Sequence, residues 1–594
     1  MEKRLLFNLL ITFMCIATME AAPALPVKHQ LTQPDGTTLT VYLRGDEFMH
    51  YYETVDGLML QKSLNGFYCY AELSKEGKVI ASPLIAHDET LRSPDEITYI
   101  RGIRQESLRN VLIEKMNLDK SIRQKAVSPG TIKQDFPTVG EVHGLVVLVQ
   151  YQDIKLSEAA TVEAYDRVMN EENYDGDIAS GSVRDYFLNQ SENKLKLHFD
   201  VVGPITLSQN RKYYGSAEEA GKERVDEMMA EAVKLAKEQN PDLDFSSYDL
   251  NEDGVVDFVY AIYAGYGEAQ GGPEETVWPQ SSTLEYKDWN LYDGLYLGRY
   301  SCSCELRGKT GSTLDGIGTF CHEFSHILGL PDIYDPRYSG CPGLNGWDVM
   351  DIGSYNNDSK TPAGYTAMDK YTLGWLKPEL LDGPQSVSLE ALATSNKAYF
   401  LVSEKNPNEY FTFENRQNVG WDAALPGHGL LICHIQYDKG IWRSNTVNTD
   451  GFEHVSLVVA DKNKRESEGS SMKDVFPGSS KNTSFTDDSE PAMLWNSGAK
   501  VGKPITNIKE IDGVITFDFM KDTGIESFEA ITDFRVYSEG QTIVISNDGL
   551  DEINIYSLSG ELIYTSKEAN CRIPVDKGCY IVRIGTKSSK VNVR

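Results

Sequence analysis

Between positions 319 and 330 the apolar residues Phe320, Phe324, Ile327 and Leu328 recur at helical spacing. At about 100° per residue they form one stripe and His322 and His326 project from the opposite side, so the spacing predicts a helix whose histidines face a cleft. Elsewhere the pattern is that of strands. Residues 38–43 and 67–73 alternate, residues 144–149 are a continuous apolar run, and residues 197–207 and 255–264 read as further strands. Ser182 and Asp185 form a capping box that opens a helix. Short β-runs at 398–402, 410–414, 429–435 and 455–459 are separated by Gly, Asn and Pro. The expected class is α+β. A small domain at 25–136 precedes a mixed domain at 137–380, and β-sandwich domains follow at 381–521 and 525–594.

The first residues change the picture of where the chain works. Met1-Glu2-Lys3-Arg4, the apolar run 5–16 and the small residues 21–24 make a signal peptide over 1–24, with cleavage near Ala22 or Ala24. No other apolar run is long enough to cross a bilayer, so an exported, soluble chain is expected. The net charge of −31 argues against nucleic acid or an anionic membrane as partner. In an oxidising setting disulfides are expected among Cys302, Cys304, Cys321 and Cys341, and between Cys571 and Cys579. The basic, helix-forming stretch 101–133 reads as the end of a propeptide and a processing region. Cys69 lies in a strand pattern, which favours a buried structural cysteine over the alternative of a thiolate that reaches the metal to enforce latency.

The candidate chemistry is concentrated in His322-Glu323-Phe324-Ser325-His326-Ile327-Leu328-Gly329-Leu330-Pro331-Asp332. Two histidines four residues apart on a helix reach one metal ion, and Glu323 beside the first can act on water at that ion. Gly329 permits a left-handed exit and Pro331 forbids continuation, after which Asp332 can return as third ligand. Three protein ligands and an open position make a catalytic zinc site, with Glu323 as general base. Met350 follows at the distance of a methionine turn, as in metzincin-like proteases, and Tyr355 is a candidate hydroxyl donor to the transition state. Asp249, Asn251, Asp253 and Asp257 alternate around Gly254 as oxygen ligands suited to a structural calcium ion; this is not an EF-hand, because position twelve is Tyr260. An Asx-rich turn without metal is the alternative. His428 and His434 flank one strand, and isolated histidines of this kind are more often structural.

These residues resemble the immune inhibitor A family of secreted bacterial zinc metallopeptidases. The resemblance runs over residues 30–520, through Gln33-Pro34-Asp35-Gly36, the segment 181–187, the acidic loop, the zinc helix, Gly420-Trp421-Asp422, the segment 425–432 and Phe476-Pro477-Gly478. It implies a zincin-type catalytic domain, His322, His326 and Asp332 on zinc, Glu323 as base, and Asp249, Asn251, Asp253 and Asp257 on calcium. Cys433 departs from the aromatic residue that family members often carry there. Segments 555–564 and 578–584 and the closing residues 590–593 resemble the C-terminal sorting domains of type IX secretion in Bacteroidetes. The expectation is a monomeric, secreted or cell-surface endopeptidase that acts on proteins or peptides, is made latent and is exported by that machinery. A surface adhesin or a cell-wall amidase is the alternative.

Overall fold

The chain is described by a computed structural model covering residues 20–126, 136–215, 223–284, 294–337, 340–461, 470–521, 534–547, 552–568, 570–585 and 587–593. The apolar part of the expected signal peptide and residues 127–135 of the expected processing region lie outside these. Residues 1–521 form one compact unit and 522–594 another.

The chain enters as β1 (Glu20–Ala21), followed by two three-stranded antiparallel sheets: β2 (Lys28–Thr32), β3 (Thr38–Gly45) and β4 (His50–Thr54), then β5 (Leu60–Lys62), β6 (Tyr68–Leu73) and β7 (Val79–Ile85). Helices α1 (Pro94–Ile100) and α2 (Gln105–Ala126) complete this part. Ser93 and Glu96 cap α1 reciprocally.

The mixed region contains β8 (Gly140–Gln150), α3 (Val162–Asn170), α4 (Val183–Gln190), β9 (Leu195–Thr206), α5 (Arg211–Gly215), α6 (Val225–Gln239), β10 (Val255–Tyr266), β11 (Gln280–Thr283), β12 (Tyr296–Leu306), α7 (Gly318–Ile327) and α8 (Ala367–Thr372). Its sheet has the order β1-β11-β12-β10-β8-β9. The last four strands are parallel, and β11 runs antiparallel beside β12. Side chains alternate across this sheet. Val146, Leu148, Phe258, Tyr260 and Ile262 pack with α3, α4 and α7, whereas Leu145, Val147, Val259, Ala261 and Tyr263 pack with α6. Burial on both faces explains why β8 and β10 read as unbroken apolar runs. The alternation also separates the cysteines. Cys302 and Cys304 share the α6 face and Cys321 belongs to the α7 face, and all eight cysteines outside the expected signal peptide are reduced. The expected disulfides are not present.

Downstream, β13 (Glu379–Leu380), β14 (Gln385–Leu389), α9 (Leu392–Ser395), β15 (Tyr399–Val402), β16 (Glu409–Arg416), β17 (Gly429–Gln436), α10 (Lys439–Arg443), β18 (Val455–Leu457), β19 (Ile505–Ile511) and β20 (Val514–Phe519) form sheets β13-β15-β16-β17-β18 and β14-β20-β19. Both line a core containing Val387, Phe411, Phe413, Ile432, Ile505 and Phe517. The other face of the larger sheet, through Tyr410, Leu431, Cys433 and Ile435, joins the core around α7. This β-region is therefore packed directly against the metal helix's domain.

The C-terminal unit contains β21 (Phe534–Glu539), β22 (Thr542–Asn547), β23 (Ile553–Ser557), β24 (Leu562–Ser566), β25 (Asn570–Pro574), β26 (Gly578–Ile584) and β27 (Lys587–Val593). Sheets β21-β22-β25 and β24-β23-β26-β27 share a core of Ile543, Ile545, Ile553, Ile555, Val582 and Ile584. Among the described residues no helix is long and apolar enough to cross a membrane.

Candidate metal centre

Helix α7 is buried on every side. Its predicted stripe is correct, since Phe320, Phe324, Ile327 and Leu328 all join the α7-face core. Phe324 sits among the rings of Phe187 and Phe258 at 5.1 Å, Phe136 at 5.6 Å and Phe199 at 5.9 Å. The start of the helix is held close to the segment after Met350. A Cβ on Gly318 would stand 1.8 Å from the Ser354 carbonyl oxygen, so only glycine fits there.

The helix ends as the sequence predicts. Gly329 has φ +100°, its N–H donates to His326 O at 2.9 Å, and Leu330 N–H donates to Ser325 O at 3.1 Å. This is a Schellman motif. It turns the Leu330 carbonyl toward His326, whose Nδ1 lies 2.8 Å away, while His322 Nδ1 lies 2.8 Å from Val349 O in the turn before Met350. A carbonyl can only accept, so each Nδ1 carries a proton, and in the neutral ring each Nε2 then presents a lone pair. The two Nε2 atoms are 3.2 Å apart, and Asp332 Oδ1 lies 3.2 Å from His322 Nε2 and 3.4 Å from His326 Nε2. Among the described residues His322, His326 and Asp332 are the one such group, with ligand atoms all within 4.8 Å of one another. Asp332 Oδ1 is buried and accepts no hydrogen bond. Two imidazoles with converging Nε2 atoms and an orphaned carboxylate oxygen fit zinc. Met350 is fully buried and its carbonyl accepts from Ile333 N–H at 3.0 Å, which ties the turn to the exit segment of the helix.

The histidines are as buried as the opposite face, because other parts of the chain cover them. Strand β1 adds antiparallel to the edge strand β11, pairing Ala21 with Gln280. The segment then passes the helix. Ala22 N–H donates to Glu323 Oε1 at 2.8 Å, Trp278 Nε1–H donates to Ala22 O at 2.9 Å, and the Tyr355 hydroxyl donates to Pro23 O at 2.8 Å. Glu323 Oε2 is buried without a hydrogen bond. Burial pushes the Glu323 carboxyl up, the two imidazoles draw it partly back, and it stands at about 7.

The two N-terminal three-stranded sheets are fastened beside this segment. His50 stacks on Trp278 at 4.8 Å and its Nε2 lies 3.3 Å from Glu268 Oε1. Burial alone would lower the imidazole's pKa, but the Glu268 carboxylate, helped by Asp46 O and by Glu223, raises it to about 9. Lys62 pairs with Glu274 at 2.8 Å, and Tyr68 bonds the same carboxylate.

Other predicted residues fall elsewhere. Cys69 lies in β6 with its sulfur on Phe67 O, so the segment that reaches the centre is 20–24 and not the thiol. His434 stacks on Phe411 at 4.1 Å and meets Glu409, and His428 meets Glu510, so neither belongs to the metal-ligating group. Asp249, Asn251 and Asp253 close one turn by accepting backbone N–H groups of Asp253, Gly254 and Val255, and Asp257 accepts from Leu250 N–H. That is the Asx-rich turn, and its alternating oxygens remain a suitable donor set for a hard cation. Trp278, His50 and Asn445 escaped sequence reasoning. Asn445 bonds Asp332 twice, from a loop 113 positions away.

Residues 138–380 match the family model of the immune inhibitor A peptidase M6 catalytic domain. The chain is similar to the pre-pro-metalloprotease PrtV of Vibrio cholerae serotype O1, at 25% identity over 251 residues, covering 36% of this chain and 27% of that protein. It is also similar to immune inhibitor A of Bacillus thuringiensis subsp. alesti, at 26% identity over 271 residues, covering 38% of each. The similarity thus spans well under half the length of these curated relatives. Within those limits, the similarity of residues 138–380 to an M6 catalytic domain supports a metallopeptidase.

Proposed function

We propose that this chain is a secreted zinc endopeptidase made as a latent precursor, in which residues 25–136 are the propeptide. The observation that carries the peptidase reading is the 2.8 Å hydrogen bond from Ala22 N–H to Glu323 Oε1, made in the unprocessed chain by an extended segment that lies on the edge of the catalytic sheet as a bound peptide would. A peptide in that register presents a backbone nitrogen to the carboxylate beside the metal ligands. A general acid has to stand there when a C–N bond breaks.

Zinc held by His322, His326 and Asp332 would supply Lewis acidity toward the scissile carbonyl and an activated water. Glu323, at about 7, accepts a proton from the attacking water and returns it to the leaving amine. The Val349 and Leu330 carbonyls keep the histidines in the tautomer that ligates through Nε2. Trp278 and Tyr355 grip the carbonyls of two successive residues and so fix the peptide's register. For Tyr355 this supports a role in holding the peptide alongside the expected donation to the transition state.

The finer assignments belong to the same proposal. Asp249, Asn251, Asp253 and Asp257 hold a structural calcium ion, the C-terminal unit directs export through a type IX system, and the product is a monomer released or held at a bacterial cell surface. The net charge of −31 and the signal-like N-terminus support the export reading.

The test is zymography on casein and gelatin beside a digest of purified cell wall, with the full chain and with a chain shortened by cleavage between residues 101 and 139. Clearing of the protein gels by the shortened chain is expected. Digestion of cell wall alone would make the enzyme an amidase, and no digestion of either would favour an adhesin.

A further inference from the structure

The third ligand is fixed from outside the span 138–380 that matches the catalytic-domain model. Asp332 follows the exit turn of α7, yet the two polar groups that fix it come from Asn445, immediately after α10 in the β-region. Asn445 Oδ1 accepts from the Asp332 backbone N–H at 2.6 Å, and Asn445 Nδ2 donates to Asp332 Oδ2, also at 2.6 Å. One planar amide therefore reads the main chain and the side chain of the same residue.

The consequence is a choice between the two carboxylate oxygens. Oδ2 is taken by Asn445, while Oδ1 is left without a hydrogen bond and faces both imidazole Nε2 atoms. A carboxylate pinned in this way offers one oxygen to a metal and not two. Only an amide does both jobs, since Asp lacks the donor and Ala lacks both groups. Asn445 also adopts φ +49°, a left-handed conformation that asparagine tolerates better than most residues.

The loop around Asn445 is itself fastened along the same exit segment. Asn448 Nδ2 donates to Ile333 O at 2.8 Å and to Val455 O at 2.9 Å, Asn448 Oδ1 accepts from Val455 N–H at 3.1 Å, and Arg337 donates to Thr449 O at 2.8 Å. Strand β18 thus anchors the loop, and the loop anchors the ligand.

We propose that Asn445 is a positioning residue for the metal centre, which presents Asp332 through Oδ1 alone and makes metal affinity depend on the β-region at 381–521. The inference rests on the zinc reading given above. Outer partners of a metal ligand set affinity by orienting it, and losing one typically costs about 10- to 100-fold.

The experiment uses the full-length chain and three variants, Asn445→Ala, Asn445→Asp and Asn448→Ala. Zinc affinity is measured by competition with a chromogenic chelator, the visible spectrum is recorded after cobalt substitution, and the melting temperature is taken without metal. Asn445→Ala and the near-isosteric Asn445→Asp should each lose zinc affinity by about 10- to 100-fold and shift the cobalt bands. Asn448→Ala, which loosens the same loop but leaves both Asn445–Asp332 bonds in place, should lower the melting temperature, weaken zinc binding by a smaller factor than either Asn445 variant and leave the cobalt bands as in the wild type. Wild-type affinity and bands in both Asn445 variants would overturn the proposal, as would an equal loss of affinity in Asn448→Ala. A wild-type chain that binds no zinc would instead overturn the reading of the centre itself.

Discussion

His50 gives the sharpest test of how the N-terminal domain is held down. Its imidazole is pinned between the Trp278 ring and the Glu268 carboxylate, and Glu268 Oε2 has no hydrogen-bond partner to compensate if His50 is lost. Moving an imidazole from an ordinary 6.5 to about 9 corresponds to about 3 kcal/mol favouring the docked state. Removing one member of a buried pair costs about 3–5 kcal/mol, which agrees in size. Either figure shifts the ratio of docked to released domain by on the order of a hundredfold or more. The sign follows from the raised value. The contribution is complete below about 6.5 and is lost as pH rises through about 9. The His50→Ala chain should therefore melt at a lower temperature at pH 7 and, uncut, should hydrolyse a quenched fluorescent peptide faster than wild type. Wild type should approach the variant as pH is raised from 8 to 10. Equal melting temperatures at pH 7, or an uncut wild type equally silent at pH 8 and pH 10 while the cut enzyme stays active, would refute this account of docking.

Three further outcomes are expected. Phe324→Ala empties the centre of an aromatic cluster under the metal helix and should destabilise the chain by about 3–5 kcal/mol, seen as a lower midpoint in urea. If the acidic turn holds calcium, removing calcium with zinc kept saturated should lower the melting temperature, and Asp253→Ala should abolish that response; an unchanged melting curve would leave the turn held by its backbone hydrogen bonds alone. Deleting residues 525–594 should keep the folded, zinc-competent enzyme inside the cell envelope, and normal extracellular levels of the truncated chain would remove the sorting role.

What could be read from the sequence was local. The helix, its apolar stripe, its glycine exit and the spacing of His322, Glu323 and His326 are short-range facts, and α7 bears them out. The same period-2 logic that predicts β17 could have placed His434, since Leu431, Cys433 and Ile435 face the α7 core and the residues between them face the second sheet. The disulfide expectation failed for a related reason. Cys302 and Cys304 are two apart on one strand and so share a face, which the sheet separates from Cys321. The contacts that complete the site were not legible. Ala22 meets Glu323 across 301 positions and Asn445 meets Asp332 across 113, and neither pairing leaves a periodicity or a spacing in the chain. Trp278 and His50 were hidden in the same way, because their roles exist only once two domains are packed.

The central claim is that Glu323 moves protons while His322, His326 and Asp332 hold the metal. Glu323→Gln keeps the shape of the side chain and removes the carboxylate, so measuring peptide hydrolysis and bound zinc in one cut preparation separates the two roles. The account predicts one zinc per chain, with hydrolysis lowered by at least about a hundredfold, whereas Asp332→Ala should lose zinc and activity together. Near wild-type hydrolysis by a Glu323→Gln enzyme carrying its zinc would contradict it.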